Sequence, residues 1–137
     1  MARLFPVAKD RRGNALVEFA LLAPILIMLL VGMLAYGQYF LAAHTLQQLA
    51  NDAARAAIVG HSEAERTTLA QASVTQGLAR SAVARPETVI RSIEERDGRI
   101  TVRLSVDTHA LLLRSGLVPM PDKVIERRAV AELAEIA

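Results

Sequence analysis

The sequence predicts an α+β protein: a long N-terminal transmembrane helix, followed by a small domain with one helix and an antiparallel β-hairpin or three-stranded sheet. Three observations predict this fold. Residues 15–43 form a nearly uncharged apolar run, apolar side chains then recur at helical spacing, and further on they alternate around an Asp-Gly dipeptide. The chain therefore divides into a leader (1–13), a long helix (14–60) and a small domain (61–137).

The apolar run from Ala15 to Ala43 is long enough to cross a membrane. Its only charged residue is Glu18. As a helix the run reaches about 43 Å, whereas the hydrocarbon core of a bilayer is about 30 Å thick. A buried helix of a soluble protein is disfavoured because so small a core could not cover the run. An ordinary secretory signal peptide also fits poorly, since its apolar region is roughly half as long.

Basic residues precede the run and predict its orientation. Four basic side chains, Arg3, Lys9, Arg11 and Arg12, stand against Asp10, which gives 4 − 1 = +3. Because positively charged flanks stay in the cytoplasm, the small domain is expected outside it. The whole chain carries a formal charge of +2, so the chain without its leader would carry 2 − 3 = −1. Nucleic-acid binding, which needs a basic folded domain, is therefore disfavoured.

Glu18 and Pro24 are the unusual residues of the run. A carboxylate in the middle of a bilayer costs about 2.5–3.5 kcal/mol, and less near the interface. Glu18 is either an acid tolerated at the cytoplasmic edge or the partner of a positive group. The obvious candidate is the α-amino group that cutting after Gly13 would create. Pro24 removes one helical hydrogen bond and is expected to kink the helix.

The string from Arg12 to Pro24, RGNALVEFALLAP, resembles the N-terminus of the TadE-like family, minor pseudopilins of tight-adherence (Tad) pili. The shared features are the glycine, the glutamate–phenylalanine pair and the later proline, and the resemblance covers residues 11–40. It implies that a prepilin peptidase cuts between Gly13 and Asn14 on the cytoplasmic side. Glu18 would then neutralise the amine of a neighbouring subunit or help to hold its own subunit in the assembly.

The same resemblance implies partners and a location. The partners are the prepilin peptidase, other pilins or pseudopilins that contact the N-terminal helix, the inner-membrane pilus assembly platform and the lipid bilayer. The location is the bacterial inner membrane, with a cytoplasmic N-terminus and a periplasmic domain, or an extracellular pilus used in adherence. The alternative is an uncleaved single-pass accessory or scaffold protein of a secretion or pilus assembly complex. That alternative does not require the spacing between Gly13 and Glu18.

The helical pattern continues beyond the apolar run and then repeats once. The stripe consists of Leu46, Leu49, Ala50, Ala53, Ala54, Ala57 and Ile58, and Gly60 is a plausible stop. Tyr36 and Tyr39 fall where an outer-leaflet aromatic belt would lie. A capping box with Ser62 at the N-cap and Glu65 three residues later predicts a second helix that extends to about Ala84.

Alternating residues predict the sheet. Asp97-Gly98 stands between two such runs, and this is a strong hairpin signal. On the second arm one face carries Ile100, Val102, Leu104 and Val106, whereas the register of the first arm is ambiguous between Val89 and Ile90. Residues 109–118 fit a short helix or a loop. Residues 123–134 fit a strand or a helix, and a third strand is favoured because a lone hairpin is only marginally stable.

Nothing in the pattern predicts an enzyme, a cofactor or a metal site. The chain has no cysteine, and His44, His61 and His109 are widely spaced. His61 could form a metal-binding group with Glu63 and Glu65, but a solvated start of the second helix explains these residues better. We expect a structural protein.

Overall fold

The computed structural model describes residues 11–81, 88–110 and 123–133. In chain order they form helix α1 (Arg11–Ile58), helix α2 (Glu63–Arg80), strand β1 (Val89–Arg96), strand β2 (Arg99–Asp107), a 3₁₀ turn (Thr108–Ala110) and strand β3 (Val124–Glu132). The predicted α+β class is confirmed: a long apolar helix and a second helix accompany a three-stranded antiparallel sheet. Most of the predicted leader, and residues 111–118 of the ambiguous segment, lie outside the described residues.

Helix α1 is continuous for 48 residues, about 72 Å, and passes through Pro24 without interruption. Its two halves have different surroundings. No residue from Gly13 to Leu34 is buried. Beyond Leu34 one side of the helix is covered, and the buried residues are Ala35, Tyr39, Ala42, Ala43, Leu46, Leu49, Ala50, Ala53, Ala54 and Ala57. The predicted stripe is present and begins earlier than expected, whereas Ile58 is exposed.

Tyr39 does not lie in an exposed aromatic belt. It is 7% exposed and belongs to the hydrophobic core cluster of the domain, and its ring meets the ring of Phe40 edge-on at 5.6 Å. The reason is helical spacing: Tyr39 follows Ala35 by four residues and precedes Ala42 by three, so it lies on the packed side. Tyr36 remains exposed at 36%.

Helix α2 begins as the capping pattern predicts. Ser62 is the N-cap, and its hydroxyl accepts a hydrogen bond from the backbone N–H of Glu65 at 3.2 Å. The reciprocal bond is shifted by one residue, because Glu65 accepts from the backbone N–H of His61 at 2.9 Å. The helix ends at Arg80, earlier than predicted, since Ser81 is extended with its N–H bonded to the carbonyl of Leu78.

The two helices approach each other closely at Gly77. A Cβ at this position would overlap Cδ2 of Leu49, so a larger residue here requires the Leu49 side chain to move. Gly77 reduces helix propensity by about 1 kcal/mol relative to alanine, and the close contact favours it. Buried residues of α2 that share this side are Ala70, Val74 and Leu78.

The sheet is a meander with β2 in the centre. Asp97 and Gly98 both have positive φ, 52° and 69°, which is the geometry of a type I′ turn and confirms the predicted hairpin. Val89 pairs with Val106, and Ile93 with Val102, so the register puts Val89 rather than Ile90 on the core side. The core residues of β2 are the predicted four: Ile100, Val102, Leu104 and Val106.

The third strand is also confirmed. β3 pairs with β2 along its whole length and buries Ile125 and Ala129. Both ends are tied down: Leu133 N–H donates to the carbonyl of Gly98 at 2.8 Å, and Thr108 N–H donates to Lys123 O at 2.9 Å. Helix α1 lies across β2 and β3, whereas α2 contacts β1.

An ion pair joins the two helices to the hairpin. Arg66 donates to both carboxylate oxygens of Glu95, at 2.8 Å and 2.6 Å, and to the carbonyl of Gly60 at 3.2 Å. The hydrogen bonds from Arg66 hold the pKa of Glu95 below its usual value, although desolvation works in the opposite direction. Gly60 has no positive φ, and it is required because a Cβ there would meet the backbone of Arg66.

Candidate membrane-spanning and processing segment

The predicted processing residues lie in the first turns of α1 and are all exposed. Among the described residues α1 runs from Arg11 to Ile58, so the bond between Gly13 and Asn14 lies within the helix.

Glu18 has a hydrogen-bond partner within its own helix. Asn14 lies four residues earlier, and its side-chain amide donates to Oε1 of Glu18 at 3.0 Å. Residues four apart face the same side of a helix, so the spacing itself makes this contact possible. The sequence predicts Asn14 only as one side of the bond that is cut. Its spacing of four residues from Glu18 is the signal that also indicates this hydrogen bond.

Gly13 has no packing neighbour among the described residues. A Cβ at this position would meet nothing within 4 Å, and the residue has no positive φ. The same is true of Gly32 and Gly37. Each glycine in a helix interior costs about 1 kcal/mol relative to alanine, and packing among the described residues does not account for these three.

Apart from Asn14 and Glu18, the surface of α1 from Gly13 to Leu34 is apolar all round, and none of its residues is buried. Large side chains more than half exposed include Leu16, Val17, Phe19, Leu21, Leu22, Ile25, Leu26, Ile27, Met28, Leu29, Met33 and Leu34. A soluble monomer rarely exposes an apolar patch of more than a few hundred Å², and a helix that is apolar on every side is typical of a core or a membrane. Of the described helices, one is long and apolar enough to span a membrane, and its most apolar part is not buried at all.

The helix segment without protein cover has the length of a membrane span. From Ala15 to Leu34 there are 20 residues, which is about 30 Å of helix and equals the usual thickness of a hydrocarbon core. The predicted apolar run, residues 15–43, is longer than a membrane span requires. Its extra residues, from Ala35 onward, are the part that packs on the domain.

The histidine group considered for metal binding does not converge on a site. His61 is 90% exposed, and its Nδ1 lies 3.7 Å from Oε2 of Glu65. Within the described residues no three metal-ligating side chains lie together. Since His61 N–H also bonds to Glu65, these residues serve to cap α2.

Comparison with known proteins shows that the first part of the chain is similar to one family. Residues 13–55 match the family model of TadE-like proteins. This TadE-like segment begins at Gly13, contains Glu18 and Pro24, and ends three residues before α1 ends. It covers under a third of the chain, and the domain that follows lies outside it. No curated protein and no solved structure matches the chain.

The family that the segment resembles has a structural role. TadE-like proteins are pseudopilin-like components of Tad pili, and the family is a structural one rather than a family of enzymes. A single apolar N-terminal helix, exposed over a bilayer thickness, fits a single-pass membrane anchor in such a protein.

Proposed function

We propose that the chain is a minor pseudopilin of a Tad pilus, anchored in the bacterial inner membrane and processed after Gly13. One observation carries the proposal: Gly13 and Glu18 lie in the N-terminal part of an apolar helix, inside the segment that matches the TadE-like model, and none of the described residues buries the first half of that helix. An apolar helix surface of this kind is stable in contact with lipid or with other apolar helices. This supports a subunit that first lies in the bilayer and then leaves it to enter a helical assembly with other pilins.

The membrane boundary is proposed near Leu34, with residues 1–13 in the cytoplasm and the domain of residues 61–137 in the periplasm. The basic residues ahead of the helix support this orientation. Because Ala35 and Tyr39 are buried by protein rather than exposed, the domain rests at the outer membrane surface. Phe40 and Leu41, on the uncovered side of α1, are 64% and 54% exposed and remain available to lipid or to a neighbouring helix.

Glu18 is the proposed partner of the new N-terminus. A prepilin peptidase would free the α-amino group of Asn14, and the carboxylate of Glu18 would neutralise the amine of an adjacent subunit. The Asn14 side chain supplies one hydrogen bond to this carboxylate in the single chain. It lowers the cost of holding an acid near the membrane edge, because a hydrogen-bonded polar group is less unfavourable there than a bare one.

The test is the N-terminus of the protein recovered from membranes and from sheared pili. Intact-mass measurement and N-terminal sequencing should show a chain that starts at Asn14. Gly13→Leu should block the shortening, whereas Gly32→Leu, a matched change at another helical glycine whose Cβ would meet nothing within 4 Å, should leave it unchanged. Glu18→Gln should be cut normally but should lower the amount of protein in the pilus fraction. Recovery of the leader in wild-type material would exclude processing.

One observation favours the second candidate, an uncut single-pass accessory protein of the assembly complex. The bond after Gly13 lies within α1 rather than in an extended segment, and a peptidase needs the chain locally unwound. The same experiment separates the two functions. Retention of Met1 in membranes and absence of the protein from sheared pili would establish the accessory role.

A further inference from the structure

A cleft of 410 Å³ lies between α2 and β1, away from the membrane-spanning segment. Its lining residues are Thr67, Gln71, Arg91 and Ile93. The cleft is on the side of the sheet that faces the helices, because Arg91 pairs with the buried Leu104 across the ladder. Arg91 itself is exposed, so the cleft is open to solvent at this residue.

Arg91 is held in place by the helix. Its Nη1 donates to the hydroxyl of Thr75 at 3.0 Å, and that hydroxyl donates to the carbonyl of Gln71 at 2.9 Å. The hydroxyl of Thr75 therefore donates its proton to the carbonyl of Gln71 and accepts a hydrogen bond from Arg91. Arginine has five N–H donors, of which this contact uses one.

The charge of Arg91 is not balanced in the described part of the chain. The other inward charge of β1, Glu95, is paired with Arg66, but no carboxylate of the described residues lies within ion-pair distance of Arg91. Helix α2 has no acidic residue between Arg66 and Arg80. Inward charges on an edge strand discourage aggregation, but that role does not require an unpaired guanidinium beside a cleft.

We propose that this cleft binds a carboxylate from an acidic side chain of a partner protein. The guanidinium can form two parallel hydrogen bonds to a carboxylate, and Thr67 and Gln71 add neutral donors. Ile93 offers apolar contact to the methylene groups of the side chain. A single fixed cation matches a singly charged carboxylate better than a doubly charged phosphate. β1 is an outer strand of the sheet, so a peptide can approach the cleft from that edge.

The test is a titration of the full-length ¹⁵N-labelled protein in detergent micelles, followed by NMR. The probe is a blocked peptide with one glutamate flanked by alanine and glycine, compared with its glutamine counterpart and with inorganic phosphate. We expect saturable shifts at Gln71, Thr75 and Arg91 with the glutamate peptide only. Arg91→Gln should weaken binding at least about tenfold, as the loss of a charge-assisted hydrogen bond implies.

The control is Arg96→Gln, since Arg96 belongs to the same strand but faces the opposite side of the sheet and does not line the cleft. Its binding should equal that of the wild type. Thr67→Val removes a donor without touching the bond between Arg91 and Thr75, so it should weaken binding even if Arg91→Gln fails to fold. Equal shifts with the glutamine peptide, saturation by phosphate alone, or full binding by Thr67→Val and Arg91→Gln would each overturn the proposal.

Discussion

Helix α1 exposes large apolar residues in its first half and buries small ones in its second. Between Gly13 and Leu34 the uncovered residues are mainly leucine, isoleucine and methionine. Between Ala35 and Ala57, seven of the buried residues are alanine. A soluble helix does the opposite, since large apolar residues gain most from burial. The second half therefore uses alanine to let α2 and the sheet approach closely, and the first half retains large side chains for an apolar solvent or for partner helices.

The described glycines differ in their neighbours. A Cβ at Gly60 would meet the backbone of Arg66, and a Cβ at Gly77 would overlap the side chain of Leu49. A Cβ at Gly13, Gly32 or Gly37 would meet nothing within 4 Å, and of these three Gly37 lies in the second half of α1, on its exposed side. Packing within the chain therefore accounts for Gly60 and Gly77, and the uncovered and packed parts should respond differently to the same substitution.

The largest expected difference comes from one substitution made in both halves of α1. Leu46 is 1% exposed and Leu26 is 52% exposed. Leu46→Ala should lower the free energy of unfolding of the domain by about 2–5 kcal/mol, because it leaves a cavity between α1 and the core. Leu26→Ala should leave it unchanged. Urea unfolding in a mild detergent, followed by circular dichroism, measures both. Equal effects would mean that the two halves are not separate environments.

The second expected difference in stability is between two glycine-to-alanine substitutions, one in α2 and one in the uncovered half of α1. Gly77→Ala should destabilise the domain by about 1–3 kcal/mol, since the new methyl group overlaps Leu49 and forces its buried side chain to repack. Gly32→Ala should not destabilise it, because the methyl group meets nothing and alanine favours the helix by about 1 kcal/mol. The same urea titration applies. A gain in stability from Gly77→Ala would show that α2 can shift away from α1 without loss.

The sequence predicts the two halves unequally well, for physical reasons. Periodicity within one element predicts α1, the Asp97-Gly98 hairpin and the packed face of β2, because those patterns are local. The position at which the uncovered segment of α1 ends, Leu34, could not be predicted. The pattern does not show whether a residue such as Tyr39 lies in lipid or in a protein core. The pair between Arg66 and Glu95 joins residues 29 apart in sequence, and only the fold brings them together. The alternation of Glu95 with Val89 and Ile93 indicates an inward position, but it does not indicate the partner.

The third prediction concerns this ion pair, whose side chains are each 17% exposed. The hydrogen bonds from Arg66 hold the pKa of Glu95 below 4.5, its ordinary value. When the pKa of a carboxyl is lower in the folded than in the unfolded state, its ionised form stabilises the fold. This contribution is fully present at a pH above the unfolded-state pKa and is lost as the pH falls through the folded-state pKa. Wild type should therefore be more stable than Glu95→Gln at pH 7, and the difference should shrink below about pH 4. A difference that stays constant down to pH 2 would rule out the pair as its source.

The smallest effect is expected at the start of α2, where a single hydroxyl satisfies one backbone donor. Ser62→Ala leaves the N–H of Glu65 without its partner at 3.2 Å, and loss of such a cap costs about 1 kcal/mol. Ser73→Ala, in the middle of the same helix, should be neutral or slightly stabilising because alanine is the better helix former. Hydrogen exchange of the first-turn amides of α2 should rise in Ser62→Ala and not in Ser73→Ala. Exchange of the α1 amides before Leu34 should be unaffected by either change, because no residue in that half of the helix is buried against the described part of the domain.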